Sequence, residues 1–109
     1  MKATPFERHL EFVQEGTLAA SAEDYIYIQD DKEWGLKVPA DSGYLTNDGP
    51  GVIIVRNSDD GEHYTRDRTV KNGETATWEN DDDVWCHTVY LSVDASGAKY
   101  RSCFARSRW

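Results

Sequence analysis

Apolar and polar residues alternate most clearly from Val84 to Phe104. The first run, Val84-Trp85-Cys86-His87-Thr88-Val89-Tyr90-Leu91-Ser92-Val93, is rich in β-branched and aromatic residues and lacks Gly and Pro. A turn cluster, Asp94-Ala95-Ser96-Gly97, leads to a second run, Ala98-Lys99-Tyr100-Arg101-Ser102-Cys103-Phe104. Successive strand side chains point to opposite faces, so Trp85, His87, Val89, Leu91 and Val93 share one face. With the loop centred on Ala95-Ser96, Ala98, Tyr100, Ser102 and Phe104 stand across from them. The spacing predicts a long β-hairpin with this face in the core. The opposite face, with Cys86, Thr88, Ser92, Lys99, Arg101 and Cys103, is mostly wet.

Near the N-terminus the period changes. Thr4-Pro5-Phe6-Glu7 is a helix-start signal, with Thr4 as N-cap, Pro5 in the first turn and Glu7 in a capping box. Phe6, Leu10 and Val13 recur at helical spacing and Gly16 offers a stop, which predicts a short helix from Pro5 to Glu15. The alternative is an edge strand with Leu10 and Phe12 inward. Thr17 to Ala20 reads as a weak strand and Tyr25 to Ile28 as a strand with either the tyrosines or the isoleucines outward. Trp34-Gly35-Leu36-Lys37-Val38 reads as a further strand, ended by Pro39. Ala40 to Gly51, with three Gly, Asn47-Asp48 and Pro50, reads as a long functional loop. Val52 to Val55 is apolar on both faces, as a central strand is. Asn57 to Gly61 turns the chain, His63 to Val70 is a polar strand, Lys71-Asn72-Gly73 is a tight turn, and Glu74 to Trp78 leads into the acidic run Glu79 to Asp83. Short strands punctuated by turns predict one mainly β domain over residues 1–109. The expected form is a β-sandwich or jelly roll of about seven to nine antiparallel strands with one short N-terminal helix.

Composition sharpens this picture. Apolar residues make up 39% of the 109, with four Trp and six Tyr to supply large buried surfaces. The net charge of −8 is uneven: residues 95–109 carry four cations and no acid, +4, leaving −12 on residues 1–94. An acidic body repels nucleic acid and anionic membrane, so neither is an expected partner, whereas a basic partner would suit it. No run of ~18 apolar residues predicts a membrane span. The segment Met1 to Arg8 has no apolar signal core, so the chain is either cytosolic or secreted after signal removal. In the hairpin register Cys86 and Cys103 lie diagonally on one face. A one-step shift would bring them within disulfide reach, and reduced thiols fit equally. At the hairpin's open end Asp83 falls opposite Arg108, a pairing that would tether the tail and lay Trp109 over apolar surface.

The segment Thr69-Val70-Lys71-Asn72-Gly73-Glu74-Thr75-Ala76-Thr77-Trp78-Glu79-Asn80-Asp81, followed by His87-Thr88-Val89, resembles part of a cupredoxin. Those domains run a strand, a Gly turn, a Thr-rich strand ending in Trp and Asn, and then a His copper ligand. The resemblance implies a sandwich with copper held near His87. Type 1 copper needs a thiolate, two imidazoles and a weak axial ligand. Cys103 is followed by Phe104-Ala105-Arg106-Ser107-Arg108-Trp109, without His or Met, and His9 and His63 lie far away. The sandwich pattern is kept and the copper site is not. Cys86 and His87 are strand neighbours on opposite faces, which argues against zinc. Asp30-Asp31, Asp59-Asp60 and Asp81-Asp82-Asp83 offer oxygen ligands for calcium if two loops converge. No EF-hand spacing is present, and solvated turns explain them more simply. No nucleophile elbow, phosphate loop or His-Glu-x-x-His motif occurs, so no catalytic residue, metal ligand or cofactor is assigned.

What remains is a surplus of aromatics. Tyr25, Tyr27, Trp34, Tyr44, Tyr64, Trp78, Tyr90 and Trp109 exceed what one small core needs, and Tyr90 falls on the wet face. Exposed aromatics near Asn, Asp and Arg suit sugar stacking or a protein hot spot. The expectation is a non-enzymatic binding module for a protein or carbohydrate, lectin-like, toxin-subunit-like or inhibitor-like. The candidate ligand residues are Tyr44, Asn47, Asp48, Tyr90 and Arg101. The alternative is a calcium-binding or cupredoxin-like sandwich protein or enzyme built on the acidic loops.

Overall fold

A computed structural model describes residues 11–29, 36, 39–78 and 85–106. Among these there are eight strands and no helix: β1 (Glu11–Leu18), β2 (Glu23–Tyr27), β3 (Ser42–Pro50), β4 (Ile53–Ser58), β5 (Arg68–Val70), β6 (Thr75–Trp78), β7 (Thr88–Val93) and β8 (Ala98–Ala105). They form two four-stranded sheets, ordered β1-β8-β3-β6 and β2-β7-β4-β5, with every strand pairing antiparallel. No helix among the described residues is long and apolar enough to cross a membrane.

Alternation decides what each strand buries. Along β8, Ala98, Tyr100, Ser102 and Phe104 are buried and Lys99 and Arg101 exposed; along β7, Val89, Leu91 and Val93 are buried, and Thr88, expected on the wet face, is buried as well. The apolar ones among these join Leu45 and Trp78 of the first sheet and Ile26, Ile53 and Val55 of the second in a single hydrophobic cluster. Burying each Val, Leu, Ile or Phe side chain of this cluster is worth about 1.5–3 kcal/mol. Polar groups also link the two sheets. The Trp78 indole donates to Asn57 Oδ1 at 3.2 Å, and Arg68 lies 4.8 Å over the Trp78 ring while donating to the Thr77 carbonyl.

The expected hairpin is not formed. Strands β7 and β8 are not ladder partners: β7 lies between β2 and β4, and β8 between β1 and β3. The turn at 94–97 crosses from one sheet to the other because its backbone groups are bonded to two other connections. The Ser21 amide donates to the Asp94 carbonyl at 2.8 Å, the Gly51 amide to the Gly97 carbonyl at 2.7 Å, and the Val52 amide to Asp94 Oδ2 at 3.2 Å. Gly97 sits at φ +69°, and a Cβ there would meet the Leu18 carbonyl at 2.8 Å, so a side chain fits neither the backbone nor the space.

The N-terminal helix is also corrected. Glu11 to Glu15 belong to β1, which pairs residue by residue with β8 from Glu11↔Ala105 to Leu18↔Ala98. The remainder of the expected helix lies outside the described residues. Eight ladder positions outweigh a few apolar residues at helical spacing, and Gln14 reinforces them by donating to the Tyr100 hydroxyl at 2.8 Å and accepting from Ser102 at 2.6 Å. The alternative of an edge strand with Phe12 inward describes β1. Its partner residue Leu10 is not described. Likewise, 40–51 is mainly strand rather than loop. Gly43 gives the Phe104 ring room, Asn47 and Gly49 form an irregularity in the ladder, and a cis Gly49–Pro50 bond closes β3. The expected strand over 63–70 shrinks to β5 plus one Ser58↔Tyr64 bridge. Of Trp34 to Val38 only Leu36 is described, bridged to Gln29.

With β7 and β8 in different sheets, the diagonal geometry for a disulfide disappears, and Cys86 and Cys103 are both free. Cys86 is buried beside Ala40, and burial pushes its thiol up to about 12; burial also raises the half-buried Cys103 thiol. Native thiol labelling is expected to modify Cys103 slowly and Cys86 only on unfolding. A reductant should leave the melting temperature unchanged. Equal labelling of both cysteines in the folded protein, or a reductant-dependent melt, would refute this placement.

Candidate binding face

The outer face of the second sheet gathers tyrosines. Ile26 points into the core at 0% exposure, so its neighbours Tyr25 and Tyr27 must point out, at 37% and 55%. The register places Tyr25 opposite Tyr90 and Tyr90 opposite Arg56, making one row across β2, β7 and β4. The Tyr25 and Tyr27 rings lie nearly parallel with centroids 5.5 Å apart, and Tyr25 meets Tyr90 at 5.4 Å and 61°. Arg56 lies 5.3 Å over the Tyr90 ring and pairs with Asp67, extending the row toward β5. Tyr64 stands at the margin, bridged to Ser58.

Hydrogen bonds hold these groups in place. The Tyr90 hydroxyl donates to Glu23 Oε2 at 2.6 Å, and this bond is the chief reason its pKa is raised, so the phenol remains a donor at neutral pH. The Asp67 carboxylate raises the Arg56 pKa, and burial raises that of Tyr64. In the turn beyond β4, the backbone amides of Glu62 and His63 donate to Asp60 Oδ1 at 2.7 and 2.8 Å, and the His63 ring contacts Asp60 Oδ2 at 2.6 Å. These bonds, those of His63 first, hold the Asp60 carboxyl well below the usual range, and Asp60 in turn raises His63. His87, placed on the core face by alternation, is half-buried, with its ring 2.7 Å from the Thr88 hydroxyl and against Gly61.

The five ligand residues expected from sequence are divided among three places. Tyr90 is in the tyrosine row. Tyr44, Asp48 and Arg101 lie on the outer face of the first sheet, where Arg101 grips Asp48 with two bonds of 2.7 and 2.9 Å. That grip holds Asp48 below and Arg101 above their ordinary pKa values. Asn47 is inside the protein at 0% exposure and serves the backbone instead of a ligand. Alternation alone leaves the direction of Tyr25 and Tyr27 open and does not single out Arg56 or Glu23. The first was decidable in principle, because isoleucine gains more than tyrosine from complete burial.

No group of three or more His, Cys, Asp or Glu comes together as a metal site among the described residues. Asp30-Asp31 and Asp81 to Asp83 lie outside those residues, as do Arg108 and Trp109, so the tail tether does too. Comparison with protein-family models, curated proteins and solved structures found no match for this chain.

Proposed function

We propose that the protein is a non-enzymatic binding module whose tyrosine face recognises a protein or carbohydrate partner. In this reading the two sheets pack face to face as a β-sandwich with jelly-roll connectivity. The shared core cluster supports that packing, and every connection except β4 to β5 passes from one sheet to the other. The observation that carries the function is the row Tyr25, Tyr90 and Arg56, with Tyr27 alongside, on the outside of a sheet whose inner side already fills the core. Tyrosine and arginine dominate binding hot spots, and rings held by one another lose little entropy on docking.

Partner capture from host extract, together with a glycan array, tests the reading. The changes Tyr25→Thr and Tyr27→Thr put another residue of high strand propensity on an exposed edge strand, so folding should be preserved. Each is expected to weaken partner binding about 10- to 30-fold, from roughly 1.4–2 kcal/mol per truncated anchor. Empty captures in both screens, or binding indifferent to both changes, would refute it.

A further inference from the structure

We infer that the tyrosine face is a receptor for a basic polypeptide, one that presents arginine or lysine side chains; this rests on the binding-module reading above. Charge is the first argument. Glu23 shares the outward side of β2 with Tyr25 and Tyr27, and among the described residues it is in ion-pair contact with no cation. Arg56, in the same row, is already matched by Asp67. Glu23 and Asp67 against Arg56 leave these charges one negative in excess, on a protein whose net charge is −8. Acidic peptides, uronate or sulfated glycans and nucleic acids would all meet repulsion there.

Ring chemistry favours the same partner. The protein places a guanidinium over an aromatic ring three times among the described residues: Arg56 on Tyr90, Arg68 on Trp78 and Arg106 on Trp85. In the first of these, a carboxylate also holds the guanidinium. Tyr25 and Tyr27 have exposed rings with the Glu23 carboxylate on the same side of β2, and none of these three contacts puts a cation on either ring. An incoming arginine would complete the same arrangement, with its planar fork on Glu23 and its face on a tyrosine. Glu23 accepts one bond, from Tyr90, and retains further acceptor sites for such a fork. The outward residues in register with Glu23 are Ser92, Ile54 and Thr69, of which only Ile54 is aliphatic, and it is half-buried. A purely apolar partner surface would find little there.

The test is an amide-resolved NMR titration of the whole chain with four octapeptides of alternating serine and arginine, lysine, glutamine or glutamate, and with a neutral glucose hexasaccharide. The arginine peptide should shift the amides of Glu23, Tyr25 and Tyr27, bind at least 10-fold tighter than the glutamine peptide, and exceed the lysine peptide. Glu23→Gln and Tyr27→Thr should each weaken it about 10-fold. Glu15→Gln, which removes the same charge on the other sheet, should leave it nearly unchanged. Equal weakening by Glu15→Gln would show diffuse charge attraction and overturn the inference. Shifts on this face from the hexasaccharide and not from the arginine peptide would overturn it while leaving the binding-module reading intact. If no probe moves these amides the inference fails, and the module reading falls with it only if the partner screens are also empty.

Discussion

Phe104→Ala is expected to destabilise the protein by about 3–5 kcal/mol, the range for truncating a fully buried aromatic. Phe104 is 0% exposed on β8, between β1 and β3, with its ring centroid 5.3 Å from that of Trp78. It also occupies the space beside Gly43, where a Cβ would come within 2.3 Å of its ring. Gly43→Ala should therefore be costly in the wild type and less so in the Phe104→Ala protein, a coupling that a double-mutant cycle reads directly. Part of the cost should persist, because the same Cβ approaches the Cys103 carbonyl at 2.9 Å. Small domains have only about 5–15 kcal/mol in hand, so Phe104→Ala should unfold at far lower denaturant. A loss below about 1 kcal/mol would mean that Phe104 is not a core residue.

Asn47→Leu should cost a comparable amount for the opposite chemical reason. The Asn47 amide nitrogen donates to the Gly51 and Val70 carbonyls, both at 2.8 Å, and its Oδ1 accepts from the Gly49 amide at 2.7 Å. Its backbone takes part as well: its N–H donates to Glu74 and its carbonyl accepts from Gly73. One side chain thus ties β3, the β3–β4 turn and β5 together. Leucine matches its volume and supplies no partner for three backbone groups, each worth about 1–3 kcal/mol when buried unsatisfied. Asn47→Asp should also fail, since it turns a carboxylate toward two carbonyl oxygens. Faster hydrogen exchange at the Gly49 amide would accompany the loss. An Asn47→Leu protein with unchanged stability would show that these bonds contribute nothing.

The burial of Val89, Leu91 and Val93, and of Ala98, Tyr100, Ser102 and Phe104, was legible because alternation acts within each strand. Ile53 and Val55 were legible for a different reason, the unbroken apolar run of Val52 to Val55, although Val52 and Ile54 of that run are only half-buried. Pairing was not. Asp94-Ala95-Ser96-Gly97 can join strands of one sheet or of two, and the bonds that decide between them come from Ser21, Gly51 and Val52, remote in sequence. Strand β3 was hidden because Gly43, Asn47, Gly49 and Pro50 have turn chemistry, while here they serve ring packing and a ladder irregularity. The site was obscured by the same limit: Tyr90 could be placed outward alone, but Arg56, Tyr25 and Glu23 become its neighbours only through cross-strand register.

The position of β8 also sets an order of events during synthesis. All four members of the second sheet have been synthesised once Val93 is made, before any residue of β8. The first sheet must wait, because its last-made strand inserts between β1 and β3 and joins Glu11 to Ala105. At about 5–20 residues per second of translation, β1 and β3 spend seconds with open edges, the condition under which strands pair with the wrong chain. Contacts this distant along the chain also close slowly, on the millisecond-to-second scale of all-β domains. Expression yield should therefore respond more to translation rate and chaperone supply than the equilibrium stability of the finished protein would imply.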